Sequence, residues 1–192
     1  MRSQVISDHE LLVQYREGSE AALELLINRH KDRVYTAIYL FVRDKYIAED
    51  LFQDTFIKVI DTLKKGKYKE EGKFLPWVMR IAHNLCIDYY RRTNRVPTIT
   101  NSKGFDIFKV LPFAADNAEQ RLVKEQTSDK VRALIDALPT EQKEVVILRH
   151  YANMSFKQIA KITNVSINTA LGRMRYALIN MRKIMLEKQV SI

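Results

Sequence analysis

Apolar side chains recur every three or four residues through most of this 192-residue chain, and only five Gly and four Pro interrupt them. That spacing places apolar side chains along one face of a helix, whereas a half-buried strand needs strict alternation. The chain is rich in helix-forming residues throughout. The pattern therefore predicts an all-α fold.

The first half predicts four helices with short connections. Ser7 and Glu10 have the spacing of a capping box for a helix over about residues 8–17, which Gly18 closes. Further helices are expected over about residues 20–42, 46–64 and 75–92. A loop rich in Gly and Lys, residues 64–74, separates the last two. Four such helices predict a compact bundle.

Residues 94–117 break the helical pattern, because Asn, Pro and Gly punctuate them without a sustained period. So long a loop is uncommon inside a domain and is better interpreted as a linker. The sequence therefore predicts two small helical domains, residues 1–93 and 118–192, joined by a flexible linker. In the second domain, helices are expected over about residues 119–137, 140–152, 155–163 and 166–187.

An acid-free stretch of 42 residues, Val145 to Leu186, contains seven Lys and Arg. Residues 129–192 carry 11 basic and 5 acidic side chains, whereas residues 1–93 are nearly balanced at 16 and 14. A carboxylate on a phosphate-binding surface would repel its ligand, so the pattern indicates nucleic acid as a partner of the second domain. A solvated basic helix pair without a partner is the plainer alternative. An anionic membrane would need a wider apolar face.

The turn chemistry of the second domain predicts a helix-turn-helix. Ser155 and Gln158 form a capping box for the first helix, Asn164 suits a left-handed turn, and Ser166 can cap the second helix. A DNA-reading motif of this kind places its second helix in the major groove. A purely structural helical hairpin is the alternative.

Two sets of side chains on this motif are candidates for DNA contact. Those expected to face the bases are Asn168, Thr169, Leu171, Gly172, Arg175 and Tyr176. Arg173, Lys157 and Arg149 are better placed for phosphates, which position a protein without reading sequence.

Several function classes are disfavoured by what the sequence lacks. Cys86 is the only cysteine, so an intramolecular disulfide and a multi-cysteine zinc site are excluded. The four histidines are scattered, and no metalloprotease motif or phosphate-binding glycine loop occurs. We therefore expect no catalytic residue, metal or cofactor. Without a long apolar run or a secretory signal, a cytoplasmic protein with no membrane insertion is expected.

Three motifs in order resemble the extracytoplasmic-function group of bacterial RNA polymerase sigma factors. They are AEDLFQDTFIKVI (Ala48 to Ile60), FLPWVMRIAHNLCIDYYRR (Phe74 to Arg92) and the segment Leu138 to Lys183. The resemblance extends from about Glu10 to Met185. It implies that residues 1–93 are region two, which binds core polymerase and the −10 element, and that residues 118–192 are region four, which binds the −35 element. The implied function is to direct transcription initiation and to melt the −10 region.

The resemblance also implies site residues and partners. Core polymerase contacts are expected at Asp50, Gln53, Asp54 and Phe56. Contacts to the −10 element are expected at Tyr68, Lys73, Phe74, Trp77, Arg80, Asn84, Arg91 and Arg92. Cations beside aromatic rings are what single-stranded DNA requires, and Asn84 is expected to help choose a flipped base. For Trp77, packing in the core is an equally good interpretation. An anti-sigma factor is the further partner implied.

The chain departs from the family in its recognition helix. Asn168, Ala170, Leu171 and Gly172 stand where the family commonly has Gly, Val, a basic residue and Ser. Base readout is therefore expected to depend on Arg175, Tyr176 and DNA shape. The rival interpretation is a helix-turn-helix regulator of the response-regulator output-domain type. That class would need an amino-terminal receiver with alternating strands, and the first half predicts helices instead.

Overall fold

The structure, a computed structural model, describes residues 6–69, 72–93 and 130–187. These residues form helices and no strands, and they divide into two compact units. The first unit contains α1 (Asp8–Arg16), α2 (Glu20–Val42), α3 (Lys45–Lys64) and α4 (Phe74–Thr93). The second contains α5 (helical residues 130–136), α6 (Thr140–His150), α7 (Phe156–Thr163) and α8 (Ile167–Glu187).

The all-α prediction is confirmed. The helices of the first unit and α6, α7 and α8 begin and end within one or two residues of their predicted bounds. Of the helix predicted over residues 119–137, only residues 130–136 are described and helical. The predicted linker, residues 94–117, lies outside the described residues.

The first unit has its helix starts fixed by short polar side chains. Ser7 and Glu10 form the predicted capping box, in which Ser7 Oγ accepts from the Glu10 backbone N–H at 3.2 Å and the Ser7 N–H donates to Glu10 Oε2 at 2.6 Å. The Ser7 N–H, together with the Ser7 hydroxyl that donates to the same oxygen at 2.8 Å, favours the ionised carboxylate and lowers the pKa of Glu10. Ser19 and Asp44 cap α2 and α3 with a single hydrogen bond each, in which the side-chain oxygen accepts from a backbone N–H of the first turn.

The core of the first unit surrounds α2, which packs against α1, α3 and α4. Its fully buried side chains come from all four helices and include Leu11, Leu26, Val34, Ile38, Val59 and Val78. Burying a side chain of this size contributes roughly 1.5–3 kcal/mol. The opposite faces of these helices take no part in the core and are exposed to solvent, where a partner can bind.

Cys86, the cysteine of α4, is part of this core, and we expect its thiol to be unreactive in the folded protein. Burial raises the pKa of the Cys86 thiol to about 12, so at pH 8 about one thiol in ten thousand is ionised. We expect an aromatic disulfide reagent to label Cys86 negligibly in the folded protein and fully in denaturant. Rapid labelling of the folded protein at pH 8 would contradict the burial of this side chain.

The second unit is built on α6, in which four consecutive side chains are buried: Val145, Val146, Ile147 and Leu148. Small residues let α8 approach this core, because Ala170 and Ala177 are fully buried. A hydrogen bond of 2.8 Å from Asn180 Nδ2 to Gln142 Oε1 also joins α8 to α6. Among the described helices, none has both the length and the apolar character that a membrane span requires.

Candidate nucleic-acid and protein interfaces

The helix-turn-helix of the second unit has the geometry that its sequence predicts. Ser155 and Gln158 form the capping box of α7, with the Ser155 N–H 2.8 Å from Gln158 Oε1. Asn164 is left-handed, with φ 54° and ψ 46°, and its N–H donates to the carbonyl oxygen of Ala160. Ser166 Oγ accepts from the Thr169 N–H at 3.0 Å and so caps α8. The start of α8 is therefore held at a defined angle to α7.

One face of α8 is open to solvent along its first half. Asn168, Leu171 and Arg175 are exposed and share this face, because they are separated by three and four positions. Tyr176, 61% exposed, lies beside it. The Thr169 side chain is exposed, but its hydroxyl lies 2.8 Å from Ser166 Oγ and so takes part in the cap. We call Asn168, Leu171, Arg175 and Tyr176 the α8 face. It combines a cation, an amide and an aromatic ring.

Gly172 adjoins this face, and the packing of the protein gives no reason for a glycine there. A Cβ built on its backbone would meet nothing within 4 Å. Glycine inside a helix is less stable than alanine by roughly 0.5–1 kcal/mol. The missing side chain leaves room for the close approach of a ligand.

Arg173 and Arg175, two of the arginines of α8, have different environments. Arg175 is exposed, whereas Arg173 is half-buried, with Nη1 3.9 Å from Glu144 Oε2 of α6. Lys157, the second residue of α7, is exposed. Of the predicted phosphate contacts, Lys157 is therefore exposed, whereas Arg173 and Arg149 are engaged within the unit. Arg149 Nη1 donates a hydrogen bond of 2.8 Å to the carbonyl oxygen of Met154.

The exposed face of α3 is acidic and polar. Asp50, Gln53 and Asp54 are all exposed on it. Phe56 is not part of that face, because it is only 7% exposed and its ring makes an edge contact with Phe52 at 4.9 Å between centroids. Ile57, 63% exposed, is an apolar side chain that does lie there, and Tyr46, 76% exposed, precedes Asp50 by four positions on the same side.

Sequence reasoning missed Ile57, although a signal for it was present. Ile57 follows Gln53 by four positions and Asp54 by three, so it must share their side of a helix. With Asp50, these residues form what we call the α3 face: Asp50, Gln53, Asp54 and Ile57.

A line of polar and aromatic residues runs along α4. Lys73, Trp77, Arg80, Asn84 and Arg91 recur at intervals of three, four or seven, so they share one side of the helix. All are exposed except Trp77, which is half-buried, and the neighbouring Arg92 is exposed as well. The one carboxylate on this line, Asp88, has its Oδ1 3.8 Å from Arg91 Nη1. We call Lys73, Trp77, Arg80, Asn84 and Arg91 the α4 face.

Three aromatic rings cluster at the start of α4, and two of them are buried. Tyr68 is 6% exposed and Phe74 is 2% exposed. The ring centroids of Tyr68 and Trp77 lie 4.3 Å apart, and Phe74 lies 6.1 Å from Tyr68 and 5.8 Å from Trp77. In this arrangement only Trp77 offers surface to a ligand. We call Tyr68, Phe74 and Trp77 the aromatic cluster.

No group of three or more His, Cys, Asp or Glu side chains is arranged to hold a metal ion in the described ranges. Two basic or amphipathic faces, on α4 and α8, suit a polyanion, while the acidic α3 face suits a protein.

Comparison with known proteins places both units in one family. Residues 26–96 match the family model for Sigma-70 region 2, and residues 128–175 match that for Sigma-70, region 4. The RNA polymerase sigma factor YlaC of Bacillus subtilis is 31% identical over 145 residues, which cover 73% of this chain and 81% of YlaC. The chain therefore belongs to the sigma-70 family of sigma factors, which direct transcription initiation.

Further comparisons place it in the extracytoplasmic-function (ECF) group. The ECF RNA polymerase sigma factor SigE of Mycolicibacterium smegmatis is 30% identical over 159 residues; the match covers 81% of this chain, which spans only 60% of SigE. Among solved structures, the sigma factor RpoE of Bartonella quintana, in complex with the anti-sigma factor NepR, matches with a TM-score of 0.63. That match covers 85% of this chain and 96% of RpoE at 16% identity, and it supports the fold.

Proposed function

We propose that this sigma factor binds core RNA polymerase through the α3 face and promoter DNA through the faces of α4 and α8. The observation that carries the proposal is the division of charge among exposed surfaces. Asp50 and Asp54 make the α3 face repel DNA, whereas Arg80 and Arg175 are exposed cations on the faces assigned to DNA. The protein supplies recognition, and the polymerase performs the chemistry.

In the second unit, the α8 face is assigned to the −35 element. Asn168, Leu171, Arg175 and Tyr176 read base edges, with Gly172 allowing the helix to approach closely and Thr169 holding its first turn. Lys157 contacts phosphate. Arg173 supports the position of α8 through Glu144 and contributes its charge to the phosphate-facing side.

In the first unit, the α4 face is assigned to the −10 element. Lys73, Arg80, Arg91 and Arg92 follow the DNA backbone, and Asn84 contributes to the choice of a flipped base. Trp77 offers the exposed ring for stacking. Because Tyr68 and Phe74 are buried, their proposed role is to hold Trp77 in position.

The proposed organisation is region two over residues 1–93, a linker over 94–117 and region four over 118–192. The proposed location is the cytoplasm, where core polymerase and promoter DNA are found. An anti-sigma factor is proposed as a further partner, since the structurally similar RpoE was solved with one. The protein is proposed to have no catalytic activity of its own.

Reconstituted transcription tests this function. With core polymerase and a promoter library, we expect the protein to select a subset of promoters that share a −35 and a −10 element at a fixed spacing. Core polymerase alone should show no such selection. Specific DNA binding by the isolated protein, without any gain on adding core polymerase, would favour the rival helix-turn-helix regulator.

A further inference from the structure

The first helix reaches the aromatic cluster from both of its ends, directly at one end and through α2 at the other. At its carboxyl end, Arg16 Nη2 donates a hydrogen bond of 3.4 Å to the carbonyl oxygen of Tyr68. At its amino end, Asp8 Oδ2 lies 2.7 Å from His30 Nε2 of α2, and the His30 ring lies 5.7 Å from the ring of Phe74. Tyr68 lies in the connection between α3 and α4, Phe74 is the first residue of α4, and both belong to the aromatic cluster.

The amino end of α1 is held firmly enough to act as a fixed point. Besides His30, Asp8 binds Arg29, whose Nη1 lies 2.6 Å from Asp8 Oδ1. Arg29 Nη2 also donates to the carbonyl oxygen of Ile6 at 2.7 Å. A nine-residue helix is marginal alone, so these bonds and the buried Leu11 give α1 its stability.

We infer that α1 is a brace that positions the aromatic cluster for the −10 strand, with Arg16 and Asp8 as positioning residues. The inference rests on the proposed function of the α4 face. Trp77 is the ring that α4 offers to DNA, and α1 reaches its two neighbours in the cluster, Tyr68 by a hydrogen bond and Phe74 through His30. Residues 26–96 match the region-two family model, so α1 lies before the matched part of the chain.

A purely structural role for α1 makes a different prediction from a brace. If α1 only covered the core, its buried Leu11 and Leu12 would carry the whole effect. Arg16 is exposed, so its removal would then change nothing at Trp77. If α1 is a brace, losing the Arg16 hydrogen bond alters the cluster while leaving the fold intact.

The intrinsic fluorescence of the full-length protein reports the cluster directly, because Trp77 is its only tryptophan. In Arg16→Met, which keeps most of the apolar stem, we expect a shifted emission maximum and stronger quenching by acrylamide. Arg16→Lys should restore part of the parent behaviour, because an ammonium can also donate to the Tyr68 carbonyl. The control is Lys31→Met, which removes the same charge from an exposed position on α2.

Reconstituted holoenzyme with a promoter library then measures the consequence for DNA. Arg16→Met should weaken discrimination among −10 bases about 2- to 10-fold, the range expected from the loss of one hydrogen bond. Preference at the −35 element and binding to core polymerase should stay unchanged. Asp8→Asn, which weakens the pairing to His30 and Arg29, should act in the same direction.

The outcomes separate the brace from the function on which it rests. Unchanged Trp77 quenching in both Arg16→Met and Asp8→Asn would overturn the brace, whatever the transcription result. Altered quenching with an unchanged −10 preference would overturn the positioning role. If circular dichroism shows that Asp8→Asn has lost helix content, the brace is judged from Arg16→Met alone. A failure of the proposed function is distinct, because the parent protein would then show no −10 preference.

Discussion

Replacing Asp54 by Lys is expected to lower the affinity for core polymerase by at least about tenfold, since like charges placed across an interface cost several kcal/mol. Asp54 is exposed on the α3 face beside Gln53 and Asp50. Because its side chain is directed to solvent, the helix content should not change. A fluorescence-anisotropy titration of labelled protein with core polymerase measures the affinity, and circular dichroism checks the fold.

The matched control is Asp32→Lys, which makes the same charge change at an exposed position on α2. It should leave polymerase binding close to that of the parent protein. Retained affinity in both Asp54→Lys and Gln53→Ala would rule out the docking assignment. An equal loss in Asp32→Lys would instead show that net charge, and not the α3 face, governs binding.

The apolar part of this interface is better tested at Ile57 than at Phe56. Truncating the buried Phe56 to Ala would destabilise the first unit by about 3–5 kcal/mol, so its effect on binding could not be separated from unfolding. Ile57 is 63% exposed and adjoins Gln53 and Asp54. Ile57→Ala should therefore weaken docking without a comparable loss of stability.

The comparison of Phe56, which was predicted to contact polymerase, with Ile57, which is exposed in its place, shows how far the sequence could predict this site. Both are apolar and adjacent in α3, and successive residues of a helix differ by only about 100° around its axis. Polar spacing identifies the exposed side of α3, but which of two neighbouring apolar residues is buried depends on contacts with other helices. In this case the edge contact between Phe56 and Phe52 belongs to the buried side.

Local signals were sufficient for the helix bounds. The Ser7 and Ser155 capping boxes and the left-handed Asn164 depend on residues within four positions of one another, and the structure contains all three. The aromatic cluster is different, because the burial of Tyr68 and Phe74 results from packing around Trp77 and from contacts to α1 and α2. Contacts between residues so far apart in sequence produce no periodic pattern, so the burial of these two rings could not be predicted from the sequence.

Arg173 illustrates the same limit in the second unit. The sequence assigned Arg175 to the bases and Arg173 to phosphate, but it gave no sign that Arg173 is paired within the unit, since both lie in an acid-free stretch. The partner that distinguishes them, Glu144, lies on α6, almost thirty positions earlier in the chain. The structure therefore makes the roles of the two arginines testable as a pair.

Arg175→Ala is expected to relax the preference at one −35 position, because a bidentate arginine–guanine pair is worth about 1–3 kcal/mol of discrimination. Arg173→Ala should instead lower binding about equally on all sequences. Lys157→Ala should do the same and reduce the salt dependence by about one counterion. A promoter-library transcription assay with reconstituted holoenzyme, run at two salt concentrations, measures both effects. Asn84→Ala serves as an internal control, because it should alter the −10 preference alone.

Glu144→Gln decides how Arg173 acts. If the guanidinium mainly holds α8 against α6, removing the carboxylate charge should weaken DNA binding as Arg173→Ala does. If it mainly contacts phosphate, releasing it from Glu144 should leave binding unchanged or strengthen it, because the positive charge near DNA is no longer offset. A −35 preference that shifts in Arg173→Ala, together with a uniform loss in Arg175→Ala, would reverse the two assignments. In that case the face of α8 that enters the groove would be the one that carries Arg173.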